Sequence, residues 1–508
     1  MLRGFISILT GKFSSLLLGL LITPLLVRML GQGHYGDYAF VLSFISITTI
    51  ITNAGIFDGT RKYIAETHDR PDWEANVFGF YLKLASGIGI IVSVGLALLA
   101  ASGVVSRLLG PEFEFYLYIS ILLLLARQLR SVVRGGLMGL SLEHISESLN
   151  VLNKLVFGVA AIALVHFNYG VNGVLIGHIT GTMMLVLMGL ISLSKRIDLI
   201  KSIFTLQRNI PRKDLMSFNF MSFILILFLY SLYHVDVMLV ETLAPEDQTG
   251  YYRAALVIAE FLWFAPMSLQ KLLLHSVADL WNNDQRKRIS ELSSKLTRYN
   301  VLLTALLMMG LAALARDFIP LYYGAEFAPT VTPLLILLPG TFGFSITRPI
   351  MGIGQAKGDF RLLIAATGLA AGLNIVLNII LIPRYGMNGA AIATSISYSS
   401  MLFLHLSVCK KIGFDPISDL RLAKTTTTIA VSAPVIFGTA WLLPNPYSLI
   451  VVPPIGFILY SIVALNIGSI SASEIFEITD RFPTPISRYI RLIIRKLNVT
   501  KDISVVFR

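Results

Sequence analysis

Arg127, Arg130 and Arg134 stand at i, i+3 and i+7 within an apolar stretch of the chain. On a helix this spacing places three guanidiniums on one face, stepping over roughly 10 Å. A charge inside hydrocarbon is costly unless it faces a cavity or a partner. The planar guanidinium fork donates paired hydrogen bonds to anionic oxygens, so a row of them suits a phosphate or pyrophosphate head group. The plainer alternative is that Arg130 and Arg134 snorkel to lipid head groups and only Arg127 is buried. Lys154, with Asn150 and Asn153 beside it, and Arg253 are further candidates for a cationic cavity. Lys12, Arg28, Lys83 and Lys271 complete the cations inside apolar stretches; for Lys12, Arg28 and Lys271, near helix ends, snorkelling is the better account.

Two carboxylates also fall in apolar stretches: Glu260 close to the middle of one, and Asp236 within about a turn of the end of another. A buried carboxylate that takes up and releases a proton or sodium ion would couple transport to a gradient. The alternative is a salt bridge to Arg253 or Lys271, which is favoured for Asp236.

What is missing narrows the chemistry. No Gly-x4-Gly-Lys-Ser/Thr loop is present to cradle a nucleotide. The eight histidines are scattered, with no pair at metal-ligand spacing, so neither a metal nor a cofactor is expected. A membrane glycosyltransferase or glycan ligase would need acidic residues in a sizeable loop outside the membrane, and no Asp-x-Asp occurs there. Catalysis is therefore not expected, and transport is.

The elements that must position these residues follow from composition. With 55% hydrophobic residues, 14% charged and a mean hydropathy of +0.74, the chain falls outside the range of soluble domains, which carry about 25% charge. Fourteen apolar stretches are long enough to cross a bilayer as helices, centred near residues 21, 48, 91, 127, 157, 183, 228, 263, 307, 341, 372, 398, 434 and 457. The chain also repeats itself. Gly36-Asp37-Tyr38 is echoed by Gly250-Tyr251-Tyr252, Gly110-Pro111-Glu112-Phe113 by Gly324-Ala325-Glu326-Phe327, and Arg134 by Arg348, each at an offset of 214. Tyr169-Gly170-Val171-Asn172-Gly173 returns as Tyr385-Gly386-Met387-Asn388-Gly389 at an offset of 216. The expected architecture is all-α and polytopic. It comprises a six-helix lobe over 1–200, a second over 210–412 in parallel orientation, two extra helices over 424–468 and a tail over 471–508. At the positions of Arg127, Arg130 and Arg134 the second copy carries Thr341, Phe344 and Arg348, so the first copy is the more cationic.

Lys and Arg divide unevenly between the loops. With the N-terminus inside, the inner loops and tail hold 27 and the outer loops three, Arg107, Arg316 and Arg384. Both termini are therefore expected in the cytoplasm. The net charge of +12 is this topology signal and no nucleic-acid footprint. The first apolar stretch lacks a small-residue cleavage site and is expected to remain in the mature protein. The single cysteine, Cys409, is expected to be structural. In the tail, Ile486, Ile490, Ile493 and Leu497 share a helical face opposite Arg488, Arg491, Arg495 and Lys496. Such a basic amphipathic helix would lie on anionic lipid of the inner leaflet or receive a partner protein.

The residues from Asn374 to Thr394, with Asn374, Asn378, Pro383 and Tyr385-Gly386-Met387-Asn388-Gly389, resemble a signature of the polysaccharide transporter family. These are the Wzx-type lipid-linked oligosaccharide flippases of the MATE-like superfamily. Pro24 to Gly31 with Tyr35-Gly36, Asp236 to Val240 with Thr249 to Tyr252, and Tyr323 to Pro329 resemble it too, so the likeness spans about residues 5 to 470. It implies a flippase that carries a polyisoprenoid (pyro)phosphate-linked oligosaccharide across the cytoplasmic membrane by alternating access. Glycan polymerase or glycosyltransferase partners would follow. A multidrug or cation antiporter of the same superfamily is the alternative, against which a cationic cavity argues. The resembling stretches themselves read as turns and packing faces, with glycines for left-handed backbone positions.

Overall fold

A computed structural model describes residues 2–53, 55–66, 72–204, 220–245, 247–358 and 360–479. The basic amphipathic pattern of the tail and the side chain of Lys12 lie outside what it describes. Among the described residues the chain is helical throughout, without strands. Twelve helices are long and apolar enough to cross a membrane. Two of them, Phe13–Asn53 and Phe360–Ile412, are 41 and 53 residues long. At 1.5 Å per residue each far exceeds a hydrocarbon thickness of about 30 Å. Each is interrupted by a glycine in the left-handed region, Gly31 (φ 71°) and Gly386 (φ 55°), where the backbone leaves the helical conformation.

The chain forms two compact units. The first comprises Met1–Ala254, Tyr322–Phe327 and Ala371–Ala393. It contains α1 (Leu2–Asn53), α2 (Ile56–Ala65), α3 (Trp73–Ala101), α4 (Val104–Leu109), α5 (Pro111–Gly139), α6 (Glu143–His166), α7 (Gly170–Leu193), α8 (Leu199–Phe204), α9 (Phe220–Leu243) and most of α10 (Gln248–Ala259). Small residues set its helix contacts, since in lipid close packing takes the place of the hydrophobic effect. Gly173, Gly177 and Gly181 of α7 form one ridge against α6; a Cβ built on Gly177 would lie 2.9 Å from the Ala161 nitrogen, and one on Gly181 2.6 Å from the Asn153 carbonyl. The preceding turn is left-handed at Asn168 and at Gly170, the first glycine of the Tyr-Gly-x-Asn-Gly pattern, while Gly173 is helical. At the Gly31 end of α1 the backbones meet so closely that a Cβ on Gly250 would fall 2.0 Å from the Gln32 carbonyl oxygen. The Met387 N–H donates to Gln248 Oε1 at 2.7 Å, and the Phe327 ring packs edge-on against Tyr35 and Tyr251.

The second unit comprises Ala255–Leu321, Ala328–Ala370 and Thr394–Arg508. It holds α11 (Phe264–Ser276), α12 (Ala278–Asn282), most of α13 (Arg286–Tyr323), all of α14 (Val331–Ala356), both ends of α15 (Phe360–Ile412), α16 (Leu422–Leu442), α17 (Tyr447–Ile467) and α18 (Ala472–Thr479). Pro266 near the start of α11 cannot donate to the Leu262 carbonyl, and the backbone tightens into a 3-10 turn over Glu260–Trp263. The Ser345 hydroxyl donates to that freed oxygen at 3.4 Å. Near the end of the last crossing, Arg298 is completely buried and paired with Asp419 at 3.1 Å and with Glu474 of α18, while donating to the Ser469 carbonyl at 2.9 Å. Arg421 pairs with Glu474 as well, at 3.1 Å. Burial works against the Glu474 carboxylate, yet the Ser471 N–H and the two guanidiniums outweigh it, so its pKa lies below the usual carboxylate range.

Candidate functional site

The three arginines sit on α5, which opens at Pro111, where a missing N–H costs nothing, and ends at Gly139. A glycine face fixes the rotation of this helix. A Cβ on Gly135 would lie 2.9 Å from the Phe57 carbonyl of α2 and one on Gly139 2.9 Å from that of Arg61, while Gly136 faces Phe78 of α3. With this face pressed against α2 and α3, the arginine stripe is left toward a cavity of about 530 Å³. Arg127, Arg130, Ser131 and Arg134 form one wall, and Ser46, Thr49 and Asn53 of α1 form another. Ser222, Phe223, Ile226 and Tyr230 of α9 close it, and Phe57 and Asp58 contribute from the first turn of α2. That turn follows a break at Gly55 (φ 86°). The cavity therefore meets α1, α2 and α5 of the first sequence repeat and α9, the opening crossing of the second.

The arginines are not equivalent. Arg134 Nη2 donates to Glu147 Oε1 at 3.0 Å, and that carboxylate side chain is only 5% exposed. Arg130 Nη2 donates to the Asn150 amide oxygen at 2.7 Å. Arg127 forms no hydrogen bond or ion pair with any described residue, although Tyr38 and Tyr230 are close enough to act on it electrostatically. The Arg130 and Arg134 heads are thus both held by α6.

Lys154 and Arg253 do not line this cavity. Lys154 places its ammonium 5.8 Å from the Phe157 ring, and Phe157 stacks on His178 at 3.9 Å. His178 in turn bonds the Tyr38 hydroxyl at 2.9 Å. Arg127, Lys154 and Arg130 all act on His178 electrostatically, and Arg253 acts on Tyr38 and on His234, which bonds Ser43 at 3.3 Å. Lys154 and Arg253 thus belong to a polar cluster adjoining the cavity, with Arg127 common to both. Asp236 is fully buried and accepts from the Tyr252 hydroxyl at 2.6 Å and from the Val237 N–H at 2.8 Å. Glu260 opens the 3-10 turn that ends at Trp263, in the second unit.

The repeat equivalents of the arginines have a different fate. Phe344 packs against Trp263 at 5.3 Å and Tyr398 at 4.9 Å, and Arg348 is buried with its guanidinium over Trp263 and Phe344 at 4.9 and 4.6 Å. The Thr341 hydroxyl turns back to the Leu337 carbonyl. The second copy fills with aromatic side chains the face that the first copy turns to its cavity. Glu147, Tyr38, His178 and Tyr230 are site residues that sequence reasoning missed. The polar spacing of Glu147, Asn150 and Lys154 on α6, also i, i+3 and i+7, was the available signal.

Comparison with known proteins places this geometry in context. The family model for "Polysaccharide biosynthesis protein" matches residues 1–262, and that for "Lipid II flippase MurJ" matches residues 148–458. A probable low-salt glycan biosynthesis flippase of Haloferax volcanii, Agl15, is 22% identical over 81% of this chain and 84% of its own length. A probable flippase of the same organism, AglR, is 22% identical over 75% of this chain and 77% of its own. Among solved structures, the lipid II flippase MurJ in an inward closed conformation superposes with a TM-score of 0.73 at 18% identity, covering 91% of this chain and 98% of the other. An inward-facing multidrug resistance MATE family transporter superposes at 0.63 with 16% identity, covering 80% and 95%. Both likenesses are of fold.

Proposed function

Since the chain belongs to the polysaccharide biosynthesis protein family, we propose that it is a flippase translocating a lipid-linked oligosaccharide across the cytoplasmic membrane for the assembly of a polysaccharide or a glycoprotein glycan. The observation that carries this reading is the cavity walled by Arg127, Arg130 and Arg134 inside a multi-pass membrane protein. A cavity of that charge attracts an anion and repels a cation. The phosphates of a polyisoprenoid (pyro)phosphate carrier are the anionic part of such a substrate, and guanidiniums bind them through paired hydrogen bonds.

In this reading the head group enters from the cytoplasmic side and docks on the arginine wall, while the polyisoprenoid tail stays in lipid. The six-helix halves over 1–200 and 210–412 then alternate access, with residues 424–468 as an added pair. Both termini are cytoplasmic, in line with the distribution of Lys and Arg. Glu260 is the proposed ion-coupling carboxylate, with Asp236 serving the fold. Arg253 and Lys154 extend the positive field beyond the cavity. The tail over 471–508 is proposed to meet anionic lipid or a glycan polymerase or glycosyltransferase. A drug or cation exporter shares the fold, but three arginines in the cavity disfavour its substrates.

The test is glycan export in cells that lack the native copy of the gene. Arg127→Ala should abolish export while the protein still reaches the membrane, and Arg127→Lys should restore it only partly, because the fork is lost. Full export by Arg127→Ala would remove Arg127 from the site.

A further inference from the structure

Helices α5 and α6 run antiparallel, and two contacts fix their register: Arg134 meets Glu147 at 3.0 Å and Arg130 meets Asn150 at 2.7 Å. One turn further along each helix stand Arg127, which lines the cavity, and Lys154, whose ammonium lies beside Phe157 outside that lining. The three rungs differ in charge. The Arg134–Glu147 rung is neutral, the Arg130–Asn150 rung carries one positive charge, and the step beyond holds two, Arg127 in the cavity wall and Lys154 behind it. Neither Arg127 nor Lys154 makes a hydrogen bond or ion pair with a described residue, and both act on His178.

Resting on the flippase reading above, we propose that this pair of helices is a graded charge ladder: Glu147 keeps the first rung neutral so that the phosphate moves on to settle at Arg127, with Lys154 adding to the field from outside the cavity. The argument is electrostatic. An anion gains most where positive charge is uncompensated, and least beside a guanidinium already satisfied by a buried carboxylate. Without Glu147, Arg134 would be a second strong anion trap one to two turns short of Arg127. Glu147 is thus a positioning residue that acts through Arg134. It is wedged in place, because Gly11 of α1 leaves it room; a Cβ there would come within 3.0 Å of the Glu147 Cβ. The other acidic group at the cavity, Asp58, is exposed and lies on α2, where Arg61 acts on it, so it is no part of the ladder.

The consequence is a split between binding and turnover. Glu147→Gln should bind an anionic head group about tenfold more tightly, the effect of one unit of charge across a partly screened site. It should also flip substrate about tenfold more slowly, since an interaction that holds the bound state without favouring passage slows turnover. Glu147→Asp, which keeps the charge, should behave as the native chain in both. Asn150→Asp, which neutralises the middle rung, should weaken binding by the same order.

The experiment uses the full-length protein in lipid nanodiscs with a fluorescent short-chain isoprenyl diphosphate as the probe, read by anisotropy, alongside flipping in proteoliposomes. Tighter binding with slower flipping in Glu147→Gln, rescued by Glu147→Asp, supports the ladder. Binding in Glu147→Gln that equals or falls below the native value, while Arg127→Ala has lost it, overturns the ladder and leaves the site reading standing. Native affinity in Arg127→Ala fails the site reading itself. Should Glu147→Gln not fold, Asn150→Asp decides, and binding undiminished in that variant overturns the ladder.

Discussion

Replacing Arg298 with Met tests how the segment after the last crossing is held. Arg298 is completely buried, pairs with Asp419 at 3.1 Å and with Glu474, and donates to the Ser469 carbonyl. Removing one partner of a buried ion pair costs about 3–5 kcal/mol, because the other charge is left behind. Two features reduce that here. Arg421 remains 3.1 Å from Glu474, and Asp419 is 41% exposed and regains water. A cost of about 2–3 kcal/mol follows, felt as easier undocking of α18 and not as global unfolding. Hydrogen exchange of the amides over 472–479 reads it directly. Local opening should speed by roughly 30- to 150-fold, the equivalent of that free energy. The pH dependence has a fixed sign. Glu474 has a lowered pKa in the folded chain, so its contribution is complete above the ordinary carboxylate range near about 4.3 and disappears as pH falls through its lower folded value. Docking of α18 should be constant from about pH 5 upward and loosen below about pH 4, and the slope should be shallower in Arg298→Met. Exchange within threefold of the native chain at neutral pH would refute the account of this clamp.

Two further outcomes are expected. Single cysteines placed in the loop 195–216 should resist an impermeant thiol reagent in intact cells, while one at position 388 should react; labelling of the loop from outside would reverse the orientation. Glu260→Gln should leave downhill exchange in vesicles intact but abolish its response to an imposed proton or sodium gradient, since the amide mimics a neutral carboxyl, and an unaltered response in a well-folded variant would exclude Glu260 from coupling.

Much of the fold was legible because hydrocarbon imposes its own grammar: fourteen apolar runs of spanning length, separated by glycines such as Gly31 and Gly386 where the backbone turns left-handed. The arginine stripe was legible too, because i, i+3, i+7 spacing defines a face whatever that face meets. What it meets was not. Glu147 and Asn150 answer Arg134 and Arg130 only once α5 and α6 are paired in register, and no periodicity within one helix contains that register. The Tyr252 hydroxyl on Asp236 likewise comes from the next helix, outside any pattern within one helix. Two signals were present and not used. The spacing of Gly173, Gly177 and Gly181 marks a helix-packing ridge, and Pro266 marks the break at Glu260–Trp263. The contrast between the repeats was half visible, since Thr341 and Phe344 stand where the first copy has arginines. That Arg348 would be buried against Trp263 depended on aromatic packing between distant helices.

The central claim is that this chain moves a lipid-linked oligosaccharide through a cavity whose anchor is Arg127. Purified protein reconstituted into vesicles containing a fluorescent polyisoprenoid diphosphate oligosaccharide, with an impermeant quencher or glycosidase added outside, measures that movement directly. The native chain should bring the inner-leaflet pool to the outside far faster than protein-free vesicles do, and Arg127→Ala, reconstituted to the same amount, should not. Vesicles carrying the native chain that exchange no faster than empty ones, or Arg127→Ala that matches the native rate, would contradict it.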